Sequence, residues 1–293
     1  MLKTLLICSA LVLVAGRLVS QDESIGYGFR AGISLSHYDG PPELGPNDEI
    51  LETNKGSNGF HIGMALNYKF GDLAGMRGEL LYSQRGTDYV YEGPSYFVLD
   101  GVIGPDIKLG GTRKQTVSVS NAYIDVPITF YYKFKGFELS GGLNTGFLIN
   151  SVGGGGLEYN GITPPPGGPD IPFTINLNYN YKSDDGGSFE LPLQQVTVSG
   201  KQYAIPSSLG AYYDFPERDK DMFQTFDFGL IGGLSYYLNE GLFFGVRYVY
   251  GLGDVDRNEY DISLKDLNPD GTFIQRSDVN KSKSWQFSVG FSF

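Results

Sequence analysis

The chain is nearly without cysteine. Its single one, Cys8, lies in an apolar run near the start, so no disulfide and no thiolate metal site is available to the rest of the protein. Basic residues are in deficit as well, 22 Lys and Arg against 33 Asp and Glu. The formal net charge of -11 disfavours nucleic acid, which wants a basic surface. Long hydrophobic runs are also missing. Beyond the first segment no apolar stretch reaches helix-spanning length and the mean hydropathy is slightly negative, which excludes a helical membrane protein. A membrane barrel survives these absences, because its strands alternate and hide from hydropathy averages. What the chain does have is 42 Gly, 21 Tyr and 20 Phe: small residues for a lumen and aromatics for girdles.

Residues 1–20 read as a secretory signal peptide. Met1-Leu-Lys3 is a short positive start, and Leu5 to Ala15 is an apolar run too short to span a bilayer. Cleavage is expected before Gln21, although Leu18 is bulky for the position three before the cut. Cys8 lies too early for a lipoprotein cysteine. Losing Lys3 and Arg17 with the leader brings the net charge to about -13. The remainder, 21–293, reads as one outer-membrane β-barrel.

Strand periodicity carries that reading. At the end of the chain, Trp285, Phe287, Val289, Phe291 and Phe293 alternate with Gln286, Ser288, Gly290 and Ser292, giving one aromatic face and one polar face. A terminal strand of this kind, closing on Phe, resembles the C-terminal signal by which outer-membrane barrels are recognised and inserted. Alternation recurs over Ile25–Ser36, Phe60–Phe70, Met76–Thr87, Tyr123–Phe134, Phe137–Ile149, Thr225–Leu238 and Leu242–Leu252, with the eighth strand at Lys283–Phe293. Each holds about nine to fourteen residues, enough to cross a bilayer when tilted. Pro127 cannot donate to a ladder, so a bulge or local break is expected there. Connections alternate between short (Gly71–Gly75, Lys135-Gly136, Asn239–Gly241) and long (37–58, 88–121, 150–224, 253–282). Short turns belong on the periplasmic side and long loops outside, and an even strand count puts both termini in the periplasm. The expected fold is an all-β, antiparallel, up-and-down transmembrane β-barrel of eight strands, with ten as the alternative.

Three stretches carry a family resemblance. Glu79-Leu-Leu-Tyr-Ser-Gln-Arg-Gly86 resembles the "ELLYSQKG" stretch of the PorT-like outer-membrane barrels of the Bacteroidota. Tyr123-Ile-Asp-Val-Pro-Ile128 resembles their "YLEIPLL" strand, with Asp125 where Glu is commoner, and Arg247-Tyr-Val-Tyr-Gly-Leu252 resembles "RYSYGL". The family is named for a type IX secretion component, and most members have no assigned role. The resemblance implies a barrel in the outer membrane and is nearly silent about activity. The third long loop, about 150–224, exceeds what it leads one to expect. Within it Phe173, Ile175, Leu177, Tyr179 and Tyr181 alternate with polar residues. Their expected partner is Leu191–Tyr203, which has no lipid face. A hairpin standing above the membrane is therefore expected, and Pro164–Pro169 before it reads as a stiff loop.

Inward charges on these registers are Arg30, Lys69, Arg77, Glu79, Arg85, Asp125, Lys133, Glu138, Asp227 and Arg247. An eight-stranded lumen is just wide enough for side chains to fill, and buried charges must pair, so a salt-bridged plug is favoured over an ion path. The Lys135-Gly136 turn should set Phe134 opposite Phe137 and Lys133 opposite Glu138. His61 is expected inward near Ser34, Ser36 and Ser83, but without a confirmed acid and geometry it does not make a hydrolase. Asp254-Val-Asp-Arg-Asn258 matches the first, third and fifth positions of a calcium loop. Glu259 and Lys265 break the pattern where Gly and Glu are required. No catalytic residue, cofactor or metal is expected. The reading is a non-enzymatic scaffold or interaction component with long acidic loops, serving as an accessory subunit of a complex such as a secretion system. The alternative is a narrow pore. Its partners are outer-membrane lipid, the barrel assembly machinery during insertion, and an outer-membrane protein.

Overall fold

A computed structural model describes residues 24–101, 106–162, 170–198 and 200–293; the expected leader lies outside them. The described residues contain fourteen strands and no helix. Eight form a closed antiparallel ring: β1 (Ile25–Asp39), β2 (Glu52–Lys69), β3 (Ala74–Gly101), β5 (Ile128–Phe134), β6 (Phe137–Ile162), β10 (Phe226–Tyr237), β11 (Leu242–Gly251) and β14 (Lys281–Ser292). β14 pairs with β1, and β6 pairs with β10, which leaves no free edge. β4 (Ile107–Asp125) continues into β5 across Val126-Pro127. The pairings on either side keep one register, Leu81↔Asp125 and Gly78↔Ile128. Pro127 therefore removes a donor without shifting the strand, and its carbonyl still accepts from Glu79 N at 3.0 Å.

Outward positions of the ring are apolar and bare. Leu139 is 66% exposed while its neighbour Glu138 is fully buried, and the same alternation runs round the ring through Phe29, Ile62, Leu80, Phe130, Leu230, Phe244 and Phe287. An apolar exterior with a charged interior inverts a soluble protein and suits a sheet whose solvent is lipid. Trp285, Phe287, Val289, Phe291 and Phe293 all face out, with Trp285 packed on Tyr248 and Phe291 on both Phe29 and Phe293. The β5–β6 hairpin turns on two residues with positive φ, Lys135 (47°) and Gly136 (83°), the pairing of angles whose twist matches two-residue hairpins. Phe134 sits opposite Phe137 and Lys133 opposite Glu138.

The long connections depart from expectation. They are not loops. β3 runs 28 residues and β6 26, far beyond a bilayer, and β4 fills much of the expected second loop. Two bulges mark where the barrel stops. In β6, Ile149 is the extra residue, since Tyr123 pairs with Leu148 and Ala122 with Asn150; in β2, five steps from Gly56 to His61 face four on β3. A bulge shifts the alternation by one, so inward residues of β6 are Glu138, Asn144 and Leu148 below it, and Ser151, Leu157 and Tyr159 above. Above the bulges the solvent changes and so does the pattern. Exposed Lys114, Glu158, Thr174 and Asn176 face out, and Leu99, Leu109, Leu157, Ile175 and Ile205 meet inside in an apolar core.

This upper part is a packed head. β7 (Asp170–Asn180) pairs with the extension of β6, Ile175 opposite Leu157, and not with 191–203 as expected. That segment instead forms a hairpin of its own, β8 (Phe189–Val198) with β9 (Lys201–Leu209). β9 then bridges β7, in parallel through Asn176↔Ser208, and the tip of β3 through Asp100↔Ala204, so the head sheet also closes on itself. β12 (Ile262–Leu267) and β13 (Phe273–Gln275) make a small ribbon in the last long connection, which covers the head together with 210–225.

Candidate functional site

The lumen gathers the inward charges in three layers, each holding a residue of β3. The alternation of Arg77, Glu79, Leu81, Ser83 and Arg85 puts all five on one face of that strand. Nearest the short-turn rim, Arg77 donates Nη1 and Nη2 to Glu138 at 2.7 and 2.8 Å and Nε to Asn67 at 2.6 Å, while the Tyr237 hydroxyl donates to Glu138 at 2.9 Å. One layer up, Glu79 lies between Arg247 (2.6 Å) and Arg30 (3.2 Å), and Arg247 also donates to Gln286 at 2.8 Å. At the mouth, Arg85 spans Asp125 (2.7 Å) and Asp227 (2.6 Å) with its guanidinium 4.2 Å from the Tyr123 ring centre. Asn144 donates to Asp125 at 3.2 Å.

Four arginines thus meet four carboxylates, and nearly all are buried. Bidentate and charge-assisted geometry offsets the desolvation that a buried ion pair carries. Leu81, buried between the charged layers, leaves no polar thread through the middle of β3's face. Two of the ten expected members stand apart. Lys69 is exposed at the short-turn rim and joins no ion pair among the described residues. Lys133 is a third exposed and reaches Glu138 only at 4.0 Å, because Arg77 already occupies that carboxylate. A double-mutant cycle is therefore expected to give a coupling of about 2 kcal/mol or more for Arg77–Glu138, and below about 1 kcal/mol for Lys133–Glu138. Urea titration of the folded barrel measures both, and the opposite ranking would refute this assignment.

Sequence reasoning passed over the neutral members. Asn67, Asn144, Tyr237 and Gln286 lie on inward positions and complete the network, and their parity was readable. His61 sits fully buried in the wall. Its Nδ1 is 3.1 Å from Ser34 Oγ and its Nε2 2.8 Å from Ser288 Oγ. Ser36 is turned to the Gly86 backbone instead, and the buried Ser83 hydroxyl has no partner. Neither ring nitrogen meets a carboxylate. In the last long connection, Asp254 accepts from Asn280 N at 2.9 Å, and Asp256 from Asn280 Nδ2 at 3.3 and 3.4 Å. No group of three potential metal ligands occurs there or elsewhere among the described residues.

The profile of the outer membrane protein beta-barrel domain matches residues 19–257. No curated protein matches the chain. Among solved structures it is similar to Ail, the attachment invasion locus protein of Yersinia pestis, at 11% identity and a TM-score of 0.34, covering 92% of this chain and 98% of that one. OprG from Pseudomonas aeruginosa matches at 13% identity and a TM-score of 0.32, covering 92% and 95%. The outer membrane protease OmpT from Escherichia coli matches at 8% identity and a TM-score of 0.31, covering 94% and 99%. A closed ring with an apolar exterior, a charged lumen and a profile match over most of its length make this chain a member of the outer membrane protein beta-barrel domain family, resident in the outer membrane.

Proposed function

We propose that this protein is a non-enzymatic interaction component of the outer membrane, whose working part is the head. One observation carries the reading: the lumen is filled by a charge-balanced set of buried ion pairs, while the head is a closed sheet around an apolar core with a largely polar outer face. Function concentrates on what a rigid scaffold displays. In this reading the short-turn rim is periplasmic, and residues 24 and 293 lie on that side. A cleaved leader delivers the chain, and its aromatic last strand is read by the assembly machinery.

The resemblance to PorT-like barrels fits the same division. Each of its three stretches contributes to the lumen layers: Glu79 and Arg85, then Asp125, then Arg247. The shared motifs thus hold the barrel shut, and what distinguishes this chain is the head, in which β7, β8 and β9 of its unusually long third connection join the extended β3, β4 and β6. Service as an accessory subunit of a secretion-type complex is the form of this reading that the resemblance suggests. Mild-detergent purification from native outer membrane tests it. An outer-membrane protein should co-purify with the wild type and be lost with Lys114→Glu and Glu158→Lys, two exposed residues paired across β4 and β6. Retention of the same partner by the head variants, or no partner at all, would contradict the proposal.

A further inference from the structure

A cavity of about 200 Å3 lies within the head, above the Arg85 layer. Its walls come from the inner faces of β3, β4 and β7, and segments 211–223 and 256–280 close over it. Tyr89, Tyr179, Tyr181, Phe215 and Tyr260 present rings to the space. Aromatic walls alone would suit any apolar molecule, so the polar groups decide.

Four carboxylates line the cavity, Glu52, Asp214, Asp256 and Asp261, against two guanidiniums, Arg257 and Arg276. Arg276 is committed to Glu52 and Asp278, and Arg257 gives its Nε to the Asp221 carbonyl at 2.9 Å. Among the described residues Asp214, Asp256 and Asp261 have no ion-pair partner. Asp214 is the sharpest case. Its side chain lines the cavity and stays solvent-accessible, although many protein atoms lie around it. The nearest cation, Arg113 of β4, donates instead to Gln115 at 3.2 Å and to the Tyr96 carbonyl at 3.0 Å. Burial holds the Asp214 and Asp261 carboxyls above the ordinary carboxylate range, and burial with the Asp254 contact pushes Asp256 up to about 8. Negative charge without a counter-ion in a partly enclosed space is costly, and a cation entering the cavity relieves that cost.

We propose that the head cavity binds a small organic cation, an alkylammonium or quaternary ammonium group, between the tyrosine faces and the carboxylates of Asp214, Asp256 and Asp261. Ring faces attract such cations, and a desolvated acid beside them adds a direct charge partner. An inorganic divalent ion fits worse, because among the described residues no three acidic or histidine side chains come close enough to share one metal ion. The site stands whether or not the head also binds a protein.

Calorimetric titration of the full chain in detergent with tetramethylammonium chloride tests this, against sodium chloride at equal ionic strength and against tert-butanol as a neutral shape control. Saturable binding of tetramethylammonium alone is expected. Asp214→Asn should weaken it at least about tenfold. The same variant removes an acid that has no ion-pair partner, so its heat stability should hold or rise, which separates lost recognition from lost folding. Equal binding of tert-butanol, displacement by equimolar calcium chloride, unchanged affinity in Asp214→Asn, or no binding of tetramethylammonium would each overturn the proposal.

Discussion

Replacing Arg85 with methionine is expected to lower the stability of the barrel by about 3–5 kcal/mol, the cost of breaking a buried ion pair by removing one partner. Among the described residues the guanidinium is the only cation paired with Asp125 or Asp227, and it also covers the Tyr123 ring. Methionine keeps some of the packing and none of the charge, so two carboxylates remain in a closed mouth. The deficit should come from those carboxylates and not from a lost attraction alone. The triple variant Arg85→Met, Asp125→Asn, Asp227→Asn is accordingly expected to recover most of it. Urea titration of the band that shifts between boiled and unboiled gel samples gives the comparison. A single variant within about 1 kcal/mol of wild type would mean that water reaches the mouth and screens it.

The middle layer predicts an asymmetry. Glu79 is one carboxylate between two guanidiniums. Glu79→Ala leaves Arg30 and Arg247 facing each other without a counter-charge, and a loss of about 3–5 kcal/mol is again expected. Arg30→Met should cost far less, below about 1.5 kcal/mol, although it removes a residue just as buried. Arg247 keeps the shorter contact to Glu79, and the layer becomes neutral. Arg30 Nη1 already lacks a hydrogen-bond partner, so little is given up. Equal losses from the two substitutions would show that Arg30 is held by something other than Glu79.

The barrel was legible because lipid imposes one rule on the outside of every strand. Phe60, Ile62, Met64 and Leu66 repeat it in β2 as Trp285, Phe287 and Val289 do in β14, and the ends read from the pattern at Thr87 and Ile149 fall at the two bulges. Only a hairpin above the membrane was legible of the head, because the same rule was sought in the rest of it. In 88–121 the apolar residues move to inward positions, Tyr89, Tyr91, Phe97, Leu109, Val117 and Val119, and the outward ones turn polar. Strand period persists while the solvent changes from lipid to water. Inward parity also exposed the lumen charges, but not their partners. Lys133 and Glu138 are adjacent across a turn and look like a pair, yet Arg77 takes Glu138 from a strand 61 residues away. Which charges meet across a barrel depends on its stagger, which no single strand records.

A lumen closed by its own ion-paired side chains carries no steady current, which leaves the head as the proposed working part. Single-channel recording of the purified protein in planar bilayers tests this most directly. Wild type is expected to give no steady current, and Arg85→Met combined with Glu79→Ala to give flickering openings as the layers lose their bridges. Stable wild-type currents of general-porin size would contradict the plug and return the lumen to the role of a pore.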